Sequence, residues 1–337
     1  MRKSKNSQIL KKRRRLSDYV PLKTPYAVTL HMTTRCNSRC IFCIYHSSTS
    51  PKPLVEDMEF LVAKKVIDQL KKHDERIKAL HISGIGEPLL NTETIKIVKY
   101  AKEAGIADVI DLITNGILLT EKKVDALLDA GVDVFRVSVN GLSDQDYLHY
   151  TESPVSFNRF VAQLEYLFRN KKKSSVHIKI IDFMVNTPEK KKRFQEVFDS
   201  ISDSIEIEYY CELPGTYKGK GKLTASNLTQ RGETPSPVRY CPYPFYYATV
   251  LPNGDLAPCP NEKMIISNIN NLQNSDTSFW DCVEFNRFRV KMLKDSMHAV
   301  DSRCKACVYA TSSCAYNDNN IDCECQRLLE HYELKPR

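Results

Sequence analysis

A chain of 337 residues in which 42% are hydrophobic and 27% charged has the make-up of a globular protein that buries a core, and is too apolar for a disordered polymer. Much of the net charge of +8 comes from Arg2, Lys3, Lys5, Lys11, Lys12, Arg13, Arg14 and Arg15; with those eight set aside, basic and acidic residues balance, which argues against a nucleic-acid groove on the folded body. No apolar run reaches the ~18 residues of a spanning helix, and none follows the basic start as in a signal peptide, so a cytoplasmic protein with no membrane role is expected.

In chain order, residues 1–25 read as a basic, solvated tail, with an anionic partner such as RNA or an acidic peptide as the alternative. "YAVTLHMT" (26–33) predicts a strand, and "MEFLVAKKVIDQLKKH" (58–73) an amphipathic helix. The alternation continues with strands at 78–83, 108–113, 133–139, 176–184 and 205–210 and helices at 91–104, 121–130, 155–171 and 188–201. Gly105 and Gly131 stop two helices, and Thr187-Pro188 starts another. Six strand-helix units in this order predict an α/β fold with a parallel sheet, in the form of a partial (β/α)6 TIM-like barrel spanning 26–213. A Gly/Pro/Ser/Thr-rich linker over 214–237 leads to a small C-terminal cysteine-rich domain over 238–337.

Twelve cysteines in a cytoplasmic chain suggest metal or redox chemistry rather than disulfides. Cys36, Cys40 and Cys43 follow the first strand as C-x3-C-x2-C. Three thiolates can hold a 4Fe-4S cube by three corners and leave the fourth iron open, whereas a zinc site, the alternative, asks for four protein ligands. With aromatic Phe42 before the last cysteine, the stretch resembles the radical S-adenosylmethionine (radical SAM) superfamily. The resemblance covers residues 26–210. "SGIGEP" (83–88), at the end of the second strand, is similar to that family's glycine-rich phrase at the methionine amino group, through Gly84, Gly86, Glu87 and Pro88. Its turn carbonyls or Glu87 could accept from an ammonium. Thr114 and Asn115 of "LITNG" and Ser138 of "RVSVNG" resemble positions around the ribose and carboxylate. All stand at strand C-terminal ends, where parallel barrels place ligand sites.

The second region reads C-x12-G-x4-C from Cys241 to Cys259, with "PNGDL" as the hairpin turn between them. Cys304, Cys307, Cys314, Cys323 and Cys325 follow. The region resembles the SPASM and twitch extensions of the same family, which hold auxiliary 4Fe-4S clusters. A twitch site is satisfied by Cys241, Cys259, Cys304 and Cys307. The full seven-cysteine SPASM count is also met, with altered spacing at Cys314, Cys323 and Cys325, so one or two auxiliary clusters are open.

What the resemblance implies is that S-adenosylmethionine binds the open iron, a flavodoxin- or ferredoxin-type donor supplies an electron, and a 5′-deoxyadenosyl radical abstracts a substrate hydrogen. An auxiliary cluster then takes up the substrate electron while a base removes a proton. Some relatives carry an Asp after the second cysteine of the hairpin; Pro260 stands there, so the base is sought at Asp182 or Glu208. The leading expectation is a radical SAM oxidoreductase acting on a small sugar or aminocyclitol alcohol, similar to twitch-type dehydrogenases of aminocyclitol biosynthesis. The alternative is a maturase that cross-links or epimerises a ribosomal peptide, against which stands the ~25-residue run before the first strand, too short for a packed leader-binding domain. A non-catalytic metal-stabilised module that binds nucleic acid through its basic tail is the third, disfavoured by the balanced body.

Overall fold

The structure, a computed structural model, describes residues 14–45, 54–211, 228–272, 278–305, 307, 309–310 and 317–334. Six strands, β1 (Ala27–His31), β2 (Ile77–Ser83), β3 (Ala107–Thr114), β4 (Val134–Ser138), β5 (Ser175–Ile181) and β6 (Ser204–Glu208), pair in parallel in chain order. Helices α1 (Phe60–Lys71), α2 (Thr94–Ala104), α3 (Glu121–Ala130), α4 (Asp144–Thr151), α5 (Phe157–Asn170) and α6 (Pro188–Phe198) return the chain. The sheet is curved but not closed, the partial barrel that six strand-helix units predict.

Side-chain alternation decides which face meets the helices. Val28, Leu30, Leu80, Ile82, Ile110, Leu112, Phe135 and Val137 are buried in one core with Val66, Ile67, Ile97 and Val98 of α1 and α2. Each such side chain contributes roughly 1.5–3 kcal/mol of burial, so a one-residue slip that turned a strand over would cost several of these at once. Local signals set the helix ends. Thr120 and Thr187 cap α3 and α6 with their side-chain oxygens, while Gly105 and Gly131 close α2 and α3 in the left-handed region.

Three expectations are corrected. The strand expected over 176–184 ends at Ile181, because Asp182–Val185 turn into a 3-10 helix. Helix α4 was not foreseen inside 144–151, although Ser143 is an N-cap that accepts from the Asp146 amide at 3.1 Å. The sheet also does not stop at β1: β7 (Tyr247–Val250) pairs with it in parallel, and β8 (Asp255–Ala257) and β9 (Ser267–Asn268) continue antiparallel to give nine strands. The expected hairpin over "PNGDL" is the β7–β8 connection, and it extends the barrel sheet rather than standing in a separate sheet.

A second core forms around α7 (Val283–Ala299), broken at Ser296, and α8 (Cys325–Glu333). It includes Leu16 and Val20, both buried, and the Trp280 indole donates to Leu22 O at 3.1 Å. Residues 16–22 therefore pack into the C-terminal part, a departure from the solvated tail expected over 1–25; residues 1–13 lie outside the described residues. So does 214–227 of the expected linker. Among the described residues no helix is long and apolar enough to cross a membrane.

Candidate active site and cysteine cages

The first cysteine loop leaves β1 and is held from both sides. Arg35 Nη2 donates to Leu90 O at 2.9 Å and pairs with Asp57, while the Arg39 and Ile41 amides donate to Thr151 O at 2.8 Å and Tyr150 O at 3.0 Å at the end of α4. The loop carries Cys36, Cys40 and Cys43, all half-buried. Burial, followed by the charges of Glu87 and Cys43 among others, pushes the Cys36 thiol up to about 11; burial and then Cys43 and Cys36 push Cys40 up. Among the described residues no three His, Cys, Asp or Glu side chains converge tightly enough for a single metal ion, as zinc would require. A four-iron cube asks for wider spacing, since each thiolate binds a different iron.

The turn after β2 packs directly on this loop. The Gly86 amide donates to Thr33 O at 3.0 Å and the Glu87 amide to Arg35 O at 2.8 Å. A Cβ on Gly86 would lie 1.9 Å from Arg35 O, and Gly84 has φ +147° against His31. Only glycine allows both approaches. The Glu87 side chain turns inward, where its oxygens accept from Leu89 N (3.2 Å), Thr114 Oγ1 (2.7 Å) and Asn115 N (2.8 Å). Burial raises its carboxyl above the usual range and outweighs those three donors. Glu87 is thus a strut between the ends of β2 and β3.

The other residues expected at the cofactor lie around the same rim. Pro88 is buried and opens a short 3-10 turn. Thr114 Oγ1 accepts from Gly116 N at 3.0 Å, and Asn115 Nδ2 donates to Asn37 Oδ1 at 2.7 Å in the cysteine loop. Ser138 is half-buried at the end of β4. Phe42 packs edge-on against Phe183, which in turn meets Tyr150 and Tyr210. The structure therefore brings Phe42, Gly84, Gly86, Thr114, Asn115 and Ser138 to one end of the barrel with the three cysteines.

Below that rim, the inner face of the sheet is polar. His81 on β2 stands beside Asp111 on β3 in register, with Nδ1 2.6 Å from Oδ1; Arg136 Nε on β4 donates to Asp111 Oδ2 at 2.6 Å. Burial pushes the Asp111 carboxyl up, but His81 and Arg136 together pull it below its usual range. A carboxylate on one side of an imidazole fixes the ring and leaves its other nitrogen for proton exchange. Sequence reasoning places Arg136 on the cavity-facing side of its strand but misses His81 and Asp111, whose signal was a polar side chain inside each of the apolar strands "IKALHIS" and "ADVIDLIT".

Further round, His177 contacts Ser204 (2.7 Å) and Glu206 (3.1 Å), and Arg231 reaches Glu206 from outside the sheet. Burial acts to raise the Glu206 carboxyl, but His177 and Arg231 hold it at about 2. A depressed carboxylate stabilises the fold above its ordinary 4.5 and loses that contribution as pH falls toward about 2. Glu206→Gln is therefore expected to flatten the fall in melting temperature across that window; an unchanged slope would contradict the pairing.

Neither expected base stands free. Asp182 Oδ1 accepts from the Phe183 and Tyr210 amides at 3.0 and 2.9 Å, so it caps the turn that ends β5. Glu208 accepts from Lys179 Nζ at 3.0 Å and Gln230 Nε2 at 2.7 Å, with Arg231 at 3.6 Å. Two cations and an amide occupy the lone pairs a base would use.

In the C-terminal part, Cys241, Cys259, Cys304 and Cys307 line one cavity, walled otherwise by side chains such as Pro244, Met264, Phe288, Met292 and Met297. Burial first, and then the neighbouring cysteines, push the Cys241 and Cys259 thiols up. Four clustered thiols in an apolar wall suit a cationic iron cluster, which would offset part of their thiolate charge. Exposed Cys323 and half-buried Cys325, which donates to Leu293 O at 3.6 Å, do not line it. Cys314 lies outside the described residues.

The sequence model of the Radical SAM superfamily matches residues 30–201, and that of SPASM, an iron-sulfur cluster-binding domain, matches 241–308. The chain is 32% identical over 173 residues to the AdoMet-dependent heme synthase of Methanosarcina barkeri (51% of this chain, 45% of that protein). It is 34% identical over 149 residues to the GTP 3′,8-cyclase of Limosilactobacillus fermentum (41% and 38%). Each match thus spans less than half of the relative's length. In fold it is similar to BtrN in complex with AdoMet and 2-DOIA (TM-score 0.54, 22% identity, 85% of this chain and 93% of that one). It is also similar to Streptococcus suis SuiB bound to precursor peptide SuiA (TM-score 0.58, 14% identity, 82% and 67%).

Proposed function

The chain belongs to the radical SAM superfamily, and from that premise we propose that it oxidises a small polar metabolite, a sugar or aminocyclitol alcohol, with one auxiliary 4Fe-4S cluster as electron acceptor. S-adenosylmethionine and its cluster supply a 5′-deoxyadenosyl radical when bound, and an auxiliary cluster supplies a one-electron sink. Cys36, Cys40 and Cys43 would hold the first cluster, and Cys241, Cys259, Cys304 and Cys307 the second.

The carrying observation is the four-cysteine cavity. Four protein ligands complete a cube's coordination and leave no iron for substrate, which suits electron transfer rather than substrate binding. The barrel's inner face supports the substrate class. Its His81, Asp111, Arg136, His177, Lys179, Glu206 and Glu208 hold one another in place and offer hydrogen bonds to hydroxyl and amino groups, with charges of both signs. Of these, His81, held at Nδ1 by Asp111, keeps its other ring nitrogen to orient an alcohol and to shuttle its proton.

The test is anaerobic turnover of the reconstituted chain with polyols and aminocyclitols, and in parallel with peptides. Formation of 5′-deoxyadenosine with a carbonyl product two hydrogens lighter is expected from the alcohols. Modified peptide and intact alcohols would overturn the reading in favour of a maturase. Independently, the C36A/C40A/C43A variant is expected to keep about four irons per chain. About eight would mean a second auxiliary cluster, and none would remove the acceptor.

A further inference from the structure

The two cysteine regions touch through one side chain that neither assignment uses. Tyr45 Oη donates to Glu262 Oε2 at 2.5 Å, joining positions 217 residues apart. Tyr45 lies two residues after Cys43, and its amide donates to Cys43 Sγ at 3.4 Å. Glu262 lies three residues after Cys259, in a turn closed by the Met264 amide on Asn261 O at 3.0 Å. Arg303, which lines the four-cysteine cavity beside Cys304, donates to Lys263 O in that same turn.

We propose that the Tyr45–Glu262 hydrogen bond couples the two cysteine cages, so that the state of the first sets the redox potential of a cluster in the second. The inference rests on reading both cysteine sets as cluster ligands. Hydrogen bonds to ligand sulfur and nearby charge are both levers on cluster potential, and Tyr45 joins one of each. Its amide is on a Cys43 sulfur and its hydroxyl is on a carboxylate beside Cys259. A shift of the Cys43 loop on ligand binding moves the ring, changes how far its hydroxyl screens Glu262, and alters the negative charge acting on the second cage. By linkage, reduction of the second cluster alters ligand affinity at the first by the same factor. Tyr45 and Glu262 are positioning residues in this scheme, since neither touches the reacting atoms.

The experiment is an EPR-monitored redox titration of the auxiliary cluster in the reconstituted full chain, with and without S-adenosylmethionine. In the wild type the ligand is expected to change the oxidised-to-reduced ratio at fixed potential about fivefold, or ~41 mV for one electron. Tyr45→Phe keeps the ring and the amide but loses the hydroxyl, and Glu262→Gln keeps the bond but loses the charge. Both should retain wild-type iron and lose the ligand-dependent shift, and Glu262→Gln should also raise the resting potential. Glu262→Asp, which withdraws the carboxylate by one methylene, replaces either variant that fails to hold its iron, and should lose the shift too. A wild-type shift in any of these variants, or no shift in the wild type, overturns the coupling. Low iron and no auxiliary signal in the wild type would overturn the cluster assignment itself, and the coupling with it.

Discussion

Gly86→Ala is expected to weaken S-adenosylmethionine binding by about 100-fold and to lower stability by about 3 kcal/mol. The added methyl would sit 1.9 Å from Arg35 O and 2.6 Å from its carbonyl carbon, both main-chain atoms that cannot rotate away. The turn must move off the cysteine loop, and the Gly86–Thr33 and Glu87–Arg35 hydrogen bonds go with it. At ~1 kcal/mol each, with ~1–3 kcal/mol of backbone strain, the total reaches the figure above. Gly105→Ala is the control. Gly105, unlike Gly86, has positive φ, but nothing lies within 4 Å of its Cβ position at the end of α2. It should cost about 1 kcal/mol and leave ligand affinity unchanged. Calorimetric titration of the reconstituted variants checks both, and Gly86→Ala affinity within threefold of wild type would remove this turn from the ligand site.

Glu87→Ala is expected to destabilise the protein by about 4 kcal/mol, through a different cause. It strands three donors, the Leu89 and Asn115 amides and the Thr114 hydroxyl, in the buried joint between β2 and β3. Each stranded donor costs roughly 1–3 kcal/mol, less where water can enter the space left behind. Glu87→Gln should cost about half as much, since its amide oxygen still serves one side of the joint. The pH dependence has a definite sign. Because burial raises the folded-state pKa above the ordinary 4.5, the folded protein binds the proton more tightly, so stability falls as pH rises through 4.5 to the raised value. Glu87→Gln removes that slope. Chemical denaturation between pH 4 and 7 measures both effects; wild-type stability in Glu87→Ala would show that the three donors find other partners.

These two neighbours show how a short phrase divides its labour. "SGIGEP" is legible as a ligand turn through its resemblance to the family's glycine-rich phrase; by itself it reads as an ordinary Gly-Pro turn. The role of Glu87 was not legible. A carboxylate next to a ligand turn suggests ammonium binding, and only the packing of β2 against β3 shows both of its oxygens occupied from within. The partners of Asp182 and Glu208 were hidden from the sequence for the same reason. Each is an acid at a strand end, as a base would be, but the turn at Phe183 takes the first and Lys179, Gln230 and Arg231 take the second. Conversely His81 and Asp111 lie 30 residues apart and form a dyad only through parallel register.

By itself the sequence determined the strand-helix alternation, the helix caps at Thr120 and Thr187, the glycine turn and the two groups of cysteines. These rest on periodicity and on residues a few positions apart, and backbone sterics and short-range hydrogen bonding act at that range. Only the tertiary structure decided that β7 closes onto β1, that α4 braces the cysteine loop, and that Cys241, Cys259, Cys304 and Cys307 share one cavity which Cys323 and Cys325 do not enter. It alone joined Tyr45 to Glu262. Such contacts depend on sheet register and on core packing across many tens of residues, where no local pattern specifies which side chains will meet.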